Sequence, residues 1–223
     1  MEIITVSDKK YENFINIKDN SINCIIDYCD IKKLIIKDKN YFLLENIINC
    51  FKTKTLETEI EYYKRNISND YLEQVIKLFD FEPTFLKKDI FTMCSSELRI
   101  CYIFINLLFN EELIILDDLT RNLDVKNITK LIFILKELKK KNKTILIISK
   151  DVEFIHKIAD HIIVLKDEIV CSGNKYEVFT NNDLEHIPNV IKFSKKVMDV
   201  KKIKIGYRDD IKDLMKDIYR YVS

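Results

Sequence analysis

The sequence predicts an α/β protein built around a mostly parallel β-sheet. In its second half, apolar runs of strand length alternate with segments of helical periodicity, and the links between them are short. Strands that alternate with helices in this way pair in parallel through right-handed crossovers. With 223 residues, of which 47% are hydrophobic, the chain is long enough for one sizeable core.

Each element of the second half follows from its residues. Residues 113–116 are continuously apolar and are closed by two aspartates, which is typical of a strand buried on both faces. From Asp124 to Lys141 apolar residues recur with the helical period, and lysines gather in the last turn. The elements that follow are a strand at 144–149, a short helix from 151 to 159, a strand at 162–165 and its hairpin partner at 168–171.

The first half is less regular. Residues 21–26 favour a strand, and residues 31–36 could open a helix. Residues 100–109 are apolar on nearly all faces, which predicts a helix buried in the core. The remaining helices are predicted at 55–63, 71–79, 189–200 and 209–221, with a short one after Gly173.

Composition excludes several kinds of function. Glycine occurs only twice, at Gly173 and Gly206, so neither a glycine-rich phosphate loop nor a dinucleotide-binding fingerprint can be drawn. The formal net charge of +1 argues against nucleic acid as a partner. No apolar run approaches the ~20 residues that span a bilayer, no secretory signal is visible, and the six cysteines form no metal-binding spacing. We therefore expect a cytoplasmic protein.

Several segments carry a resemblance to a known family. LIILDDLTRNLD, at 113–124, resembles the Walker B strand and D-loop of ABC-type ATPases. MCSSELRICYIFINLLFNEELIILD, at 93–117, matches without a gap the family's stretch from its signature motif to the Walker B aspartate. TILIISKDVEFIHKIADHIIVLKDEIVCSGNKYEVF, at 144–179, is similar to its switch strand, helix and closing hairpin. Similarity extends to LLENIINCFKTKTLETEIEYYKRN, at 43–66, and to YLEQVIKLFDFEPTFLKKDIF, at 71–91, which are most like the ATPase subunits of energy-coupling factor (ECF) vitamin and cobalt transporters. The C-terminal helices support this choice, because they are similar to the C-terminal extension of that subfamily.

This resemblance implies a P-loop-NTPase-like, ABC ATPase fold in two parts. An ABC ATPase-like domain would span 1–180, with a helical subdomain at about 55–109, and a C-terminal helical extension would span 181–223. The resemblance also implies ATP and Mg²⁺ as cofactors, a second ABC ATPase subunit in a heterodimer, and a transmembrane coupling subunit. The protein would then lie at the cytoplasmic face of the cell membrane.

The resemblance also assigns roles to individual residues. Asp117 matches the aspartate that holds Mg²⁺, Asp118 stands in for the catalytic glutamate, and Lys150 matches the switch histidine. Glu45 replaces the Q-loop glutamine, which contacts Mg²⁺ in the family. The positions matched to nucleotide contacts are Lys33, Ser95, Ser96 and Asp124.

Simpler interpretations of the same residues remain open. Asp117 and Asp118 could merely end a buried strand. Asp124 and the two serines could cap helices. Both lysines and Glu45 could be solvated surface residues.

An ATP site at these positions is chemically incomplete. The segment DYCDIKKLI, at 27–35, matches the phosphate loop but carries Asp27 and Asp30 where glycines belong, and Leu34 replaces an Mg²⁺ ligand. Two acids in this loop oppose phosphate binding by like-charge repulsion. Between the loop and Glu45 the family has a helix and an antiparallel hairpin, and so few residues remain here that we expect much of that layer to be missing.

The sequence therefore predicts an ECF-like ABC subunit with degenerate nucleotide sites. Such a subunit would bind ATP and Mg²⁺ weakly or not at all and would serve as a non-hydrolysing structural or regulatory partner in a transport complex. The alternatives are a weakly active ATPase subunit that couples hydrolysis to transport, and a soluble interaction module derived from one. A DNA-associated ATPase is disfavoured, because no coiled-coil arm interrupts the chain.

Overall fold

Two β-sheets and a set of helices make up the computed structural model, which describes residues 2–7, 12–28, 31–36, 39–42, 51–64, 67–108, 113–166, 168–181 and 184–222. The strands are β1 (Glu2–Ser7), β2 (Glu12–Asn16), β3 (Ile22–Asp27), β4 (Ile31–Ile36), β5 (Lys39–Phe42), β6 (Leu113–Asp117), β7 (Thr144–Ser149), β8 (His161–Leu165) and β9 (Ile169–Gly173). The helices are α1 (Leu56–Lys64), α2 (Asn69–Phe79), α3 (Pro83–Leu86), α4 (Ser95–Leu108), α5 (Val125–Lys140), α6 (Val152–Ile158), α7 (Lys175–Asn181), α8 (Asn189–Lys201) and α9 (Ile211–Val222). The α/β class predicted from the sequence is confirmed.

The five-stranded sheet has the order β6-β7-β3-β8-β9 and is parallel except for β9. Every residue of β3, β7 and β8 is buried, because both faces of these strands are covered. The strands predicted at 21–26, 144–149 and 162–165 are thereby confirmed. Since β3, β6 and β7 run in the same direction, their carboxyl ends meet at one edge of the sheet, which we call the carboxyl edge.

The four-stranded sheet has the order β2-β1-β4-β5 and is antiparallel throughout. Residues 31–36 form β4 in this sheet, so the prediction that they open a helix was wrong. The run is rich in isoleucine, which favours a strand, and pairing with β1 and β5 satisfies its backbone. Strands β4 and β5 form an antiparallel hairpin within the short segment that precedes Glu45. The expectation that much of the family's layer is missing stays a prediction.

The helices of the first half pack around α4, which is largely buried. The ring of Phe104 on α4 meets that of Phe79 on α2 edge to face at 5.1 Å. The hydroxyl of Tyr71 on α2 donates a 2.7 Å hydrogen bond to the main-chain oxygen of Leu107. The apolar character of residues 100–109 thus predicted the burial of this helix correctly, and α4 begins five residues earlier, at Ser95.

The buried apolar side chains of the described residues form two clusters, one on each face of the parallel sheet. The larger cluster lies under the helices. The smaller cluster lies between the two sheets. It contains Ile3 and Ile15 from the antiparallel sheet and Ile25, Ile148 and Ile163 from the parallel sheet. Side chains of a strand alternate between its two faces, so one continuous apolar strand such as β3 serves both clusters.

The C-terminal helices are tied to the rest of the chain by polar contacts. Asp209, just before α9, accepts a 2.7 Å hydrogen bond from Lys175 and a 2.6 Å hydrogen bond from the hydroxyl of Tyr176. Ile191 of α8 and Leu214 of α9 are fully buried. None of the helices in the described ranges is both long and apolar enough to cross a membrane.

Candidate functional site

The carboxyl edge brings together residues that lie far apart in the sequence. Strand β6 ends at Asp117, and Asp118 follows in the left-handed region with φ 46°. The N–H of Asp118 donates a 2.9 Å hydrogen bond to the oxygen of Ile148 in β7, which holds the turn against the sheet. Strand β3 ends at Asp27, so aspartates close two of the strands at this edge.

A buried arginine faces these acids. Arg99 on α4 is 8% exposed, and its Nη1 donates a 3.4 Å hydrogen bond to the main-chain oxygen of Asp117. Its Nε atom is buried and has no hydrogen-bond partner among the residues that the structure describes. Burial lowers the pKa of Arg99, and the charges of Asp118 and Asp117 oppose that shift. Arg99 thus provides positive charge beside the end of β6.

The carboxyl group of Asp117 lies in an unfavourable environment for a charge. Its pKa is raised to about 6, first by burial and next by the charge of Asp118, with a further contribution from Asp27. Arg99 lowers it but does not cancel the increase. Within the described residues, no group of three or more His, Cys, Asp or Glu side chains is arranged to hold a metal ion. The acids and Arg99 therefore form a cluster of opposite charges at the end of β6.

The segment matched to the phosphate loop lies between two strands, β3 and β4. Only Cys29 and Asp30 stand between Tyr28 and the start of β4. The buried carboxylate of Asp27 accepts a 2.8 Å hydrogen bond from the N–H of Ile31. The main chain of Lys33 pairs with β1 and β5 as part of the antiparallel sheet. Strand β3 therefore leads almost directly into β4, and the described residues do not fit a loop and helix that would cradle phosphate.

The signature-like segment forms the start of α4. The carboxylate of Glu97 accepts a 2.8 Å hydrogen bond from the N–H of Cys94 and a 2.7 Å one from Lys88. These bonds lower the pKa of Glu97. A glutamate in the first turn that reaches back to the preceding N–H is one half of a capping box. Ser95 and Ser96 belong to this first turn, and the hydroxyl of Ser96 lies 3.2 Å from the Cys94 sulfur.

The remaining positions singled out in the sequence are dispersed. Asp124 is the N-cap of α5 and accepts a 2.7 Å hydrogen bond from the N–H of Asn127. Lys150 follows β7 and is exposed. The pKa of Tyr28 is raised by burial and by the charge of Glu185, and Lys150 opposes that shift. Glu45 lies outside the described residues. The structure thus brings Asp27 near Asp117 and its neighbour Asp118, and it shows Asp124 and the signature-like segment as helix starts.

Sequence reasoning missed Arg99 and the role of Asp27. An arginine at the start of an otherwise apolar helix is a signal that could have been noticed, since a buried guanidinium requires an acidic or carbonyl partner. Asp27 was considered only as an obstacle to phosphate. The residues next to Asp27 in the sequence carry no signal that its carboxylate accepts a hydrogen bond from the N–H of Ile31, the first residue of β4.

Comparison with solved structures identifies the fold. CbiO1 from Clostridium perfringens, described as part of the ABC transporter complex cbiONQ, superimposes with a TM-score of 0.61 at 15% identity, covering 91% of this chain and 99% of that one. MJ0796, described as a bacterial ABC transporter cassette, gives a TM-score of 0.54 at 17% identity, covering 78% and 98%. The fold is that of an ABC ATPase cassette. In the sense of this fold alone, the chain is a cassette.

Sequence comparison gives homologues of the cassette, although no family model matches it. The ECF transporter ATP-binding protein EcfA2 of Mycoplasmoides gallisepticum is 29% identical over 166 residues, covering 66% of the cassette and 51% of the relative. A probable metal transport system ATP-binding protein of Chlamydia trachomatis is 25% identical over 134 residues, covering 60% and 50%. The cassette spans about half the length of these relatives. Its homologues are thus ECF and metal transport ATP-binding proteins, as the resemblance in the sequence predicted.

Proposed function

We propose that the cassette is a non-hydrolysing subunit of an ECF-like transport complex, in which it serves a structural or regulatory role. Its homologues carry the names of transporter ATP-binding proteins, which supports the transport context. The division into a domain at 1–180 and an extension at 181–223 is part of this proposal.

The passage from β3 to β4 is the observation that carries the proposal. A phosphate-binding loop encloses a polyanion with successive backbone N–H groups and leads into a helix whose N-terminus faces the phosphate. Here Asp27 closes β3, and the chain re-enters a strand at Ile31. The N–H of Ile31 is used by the carboxylate of Asp27, so it is not directed at an external anion. ATP therefore lacks its usual support at this edge.

The cluster of Asp27, Asp117, Asp118 and Arg99 also supports the absence of turnover. An Mg²⁺ ion needs several oxygen ligands in octahedral geometry, and within the described residues no group of three or more His, Cys, Asp or Glu side chains is arranged to hold a metal ion. The guanidinium of Arg99 supplies positive charge at the same strand end. We infer that the residues matched to ATP and Mg²⁺ chemistry are remnants: Asp117, Asp118, Asp124, Lys150, Ser95, Ser96, Lys33 and Glu45.

The partners follow from the same proposal. We infer a second ABC ATPase subunit and a transmembrane coupling subunit, with the cassette at the cytoplasmic face of the membrane. Apolar side chains remain exposed on the C-terminal helices, which is consistent with a protein contact there. These residues are Phe193, Val200, Ile211, Tyr219 and Tyr221.

Nucleotide binding and hydrolysis test the proposal directly. We expect the purified cassette with MgATP to show no hydrolysis above that of the Asp118→Asn variant. ATP hydrolysis that Asp118→Asn abolishes would instead support the alternative of a weakly active ATPase.

Copurification tests the transport context. We expect the tagged cassette to be recovered from detergent-solubilised membranes of its native cells together with an integral membrane subunit and an intact ABC ATPase. Recovery as a monomer without either partner would favour a soluble interaction module.

A further inference from the structure

A cleft of about 330 Å³ lies on the side of the cassette away from the carboxyl edge. It is lined by the first residue of β3, Ile22, and by Asp160 just before β8, both of which mark the amino ends of parallel strands. Asp117 and Asp27 lie at the opposite ends of their strands. The cleft is therefore separate from the candidate site described above.

Five lysines from three helices converge on this cleft, which we call the lysine cleft. They are Lys136, Lys139 and Lys140 of α5, Lys157 of α6 and Lys175 of α7. The acids that line it are Asp160 and Asp209. This excess of positive charge contrasts with the near-neutral chain as a whole, whose formal net charge is +1.

Two of the lysines are held in place by ion pairs. Lys139 lies 2.6 Å from Asp160, whose other carboxylate oxygen accepts a 2.9 Å hydrogen bond from the N–H of Ile22. Lys175 has a side chain only 17% exposed, and it donates to Asp209 at 2.7 Å and to the main-chain oxygen of His156 at 3.2 Å. These pairs fix the walls of the cleft and neutralise both of its aspartates.

Of the other three lysines, two are available to a ligand. Lys140 pairs with Glu137 of its own helix at 2.6 Å. Lys136 and Lys157 are exposed, and neither has a hydrogen-bond or ion-pair partner among the described residues. Lys139, Lys140 and Lys157 lie in last turns and complement helix dipoles. That preference does not account for Lys136 and Lys175, nor for the convergence of three helices on one concave surface.

We propose that the lysine cleft binds a small, multiply charged phosphate compound. Lysine ammonium groups bind phosphate as point charges, and Lys136 and Lys157 are the residues we expect to contact it. The volume of about 330 Å³ lies at the lower end of the ~300–1,000 Å³ range of small-molecule sites and suits a group the size of a short polyphosphate. The apolar side chains of Ile22, Ile158 and Ala159 complete the lining.

Calorimetric titration with sodium tripolyphosphate tests this proposal. It is done without Mg²⁺ and at an ionic strength of about 0.1 M, where charges more than ~10 Å apart are largely screened. We expect saturable binding to the cassette and an affinity at least about tenfold lower in the Lys136→Gln/Lys157→Gln variant. The charge-preserving Lys136→Arg/Lys157→Arg variant should bind like the original chain.

A matched control separates the cleft from general attraction by surface charge. Lys126 and Lys196 are exposed and do not line the cleft, so Lys126→Gln/Lys196→Gln removes the same charge elsewhere. This control should leave tripolyphosphate affinity unchanged. An equal loss of affinity in both glutamine variants, or no saturable binding of any phosphate probe, would overturn the proposal.

The phosphate could belong to a soluble compound or to a lipid headgroup. Cosedimentation with phosphatidylcholine vesicles, with and without phosphatidylserine, distinguishes the two sources. Binding to the anionic vesicles that the glutamine cleft variant abolishes, without tripolyphosphate binding, would support the cleft and identify a headgroup. If the chain binds ATP and the glutamine cleft variant abolishes that binding, the ATP is bound in the lysine cleft. Such binding does not contradict the proposed function, which is then tested only by whether ATP is hydrolysed.

Discussion

The carboxylate of Asp27 accepts a 2.8 Å hydrogen bond from the backbone N–H of Ile31. This bond joins the last residue of β3 in the parallel sheet to the first residue of β4 in the antiparallel sheet. It connects the two sheets at the point where an ATP-binding cassette would need a phosphate loop. The carboxylate of Asp27 is therefore committed to a structural contact within the chain.

Removing this contact should destabilise the fold. In Asp27→Ala the N–H of Ile31 loses its acceptor in a buried environment, and we expect the free energy of unfolding to fall by about 1–3 kcal/mol in urea denaturation. Asp27→Asn keeps an acceptor oxygen and should lose less. Equal stability of Asp27→Ala and the original chain would show that the bond contributes nothing.

Arg99 should be coupled energetically to Asp117. Arg99→Met leaves the acids at the end of β6 without their buried counter-charge. We therefore expect the free energy of unfolding to fall by about 2 kcal/mol. This is less than the ~3–5 kcal/mol of fully buried pairs, because the side chain of Asp118 is 43% exposed. In a double-mutant cycle, Asp117→Asn should recover part of that loss, while the exposed Arg121→Met should cost little. Strict additivity of the Arg99 and Asp117 changes would contradict the coupling.

His156 should make the cassette sensitive to acid. Burial lowers the pKa of this histidine below the ordinary 6.5, while Asp209 opposes and Lys175 assists the shift. As the pH falls below about 6.5, the histidine of the unfolded chain takes up a proton that the buried histidine of the folded chain resists. The contribution of His156 to the free energy of unfolding is therefore complete above that pH and is lost as the pH falls through the pKa of the folded state. His161 is shifted in the same direction by burial and by Lys18.

We expect His156→Gln to flatten the acid side of a plot of unfolding free energy against pH. The exposed His186→Gln serves as the control and should leave the slope as it is, because its ring is largely in solvent. Thermal or urea unfolding between pH 8 and 5 measures the slopes. Parallel profiles for the original chain and His156→Gln would rule out the histidine as the cause.

Glu97 should stabilise the start of α4. Glu97→Ala removes the acceptor of the Cys94 N–H and the partner of Lys88. We expect the free energy of unfolding, measured by urea denaturation, to fall by about 1 kcal/mol. Glu97→Gln keeps an acceptor oxygen at the same position, so it should cost less stability than Glu97→Ala. Glu73→Ala, on the exposed face of α2, is the control for removing a helical glutamate.

The regular second half of the chain was predictable because its local signals agree. The apolar runs at 113–116, 144–149 and 162–165 are strands, and helical periodicity marked α5 together with its N-cap, Asp124. Residues 31–36 were misjudged because a segment of six residues that mixes isoleucine, leucine and lysine is compatible with helix or strand, and only pairing with β1 and β5 decides between them.

The amino-acid sequence by itself determined the ABC-like order of strands and helices, the shortage of glycine and the positions of Asp117 and Asp118 at a strand end. Only the tertiary structure decided that β3 leads into an antiparallel strand, that Arg99 lies against Asp117 and that lysines of three helices share one cleft. The reason is physical: hydrophobic periodicity is a property of neighbouring residues, whereas strand pairing and charge clusters depend on residues that meet only when the chain has folded.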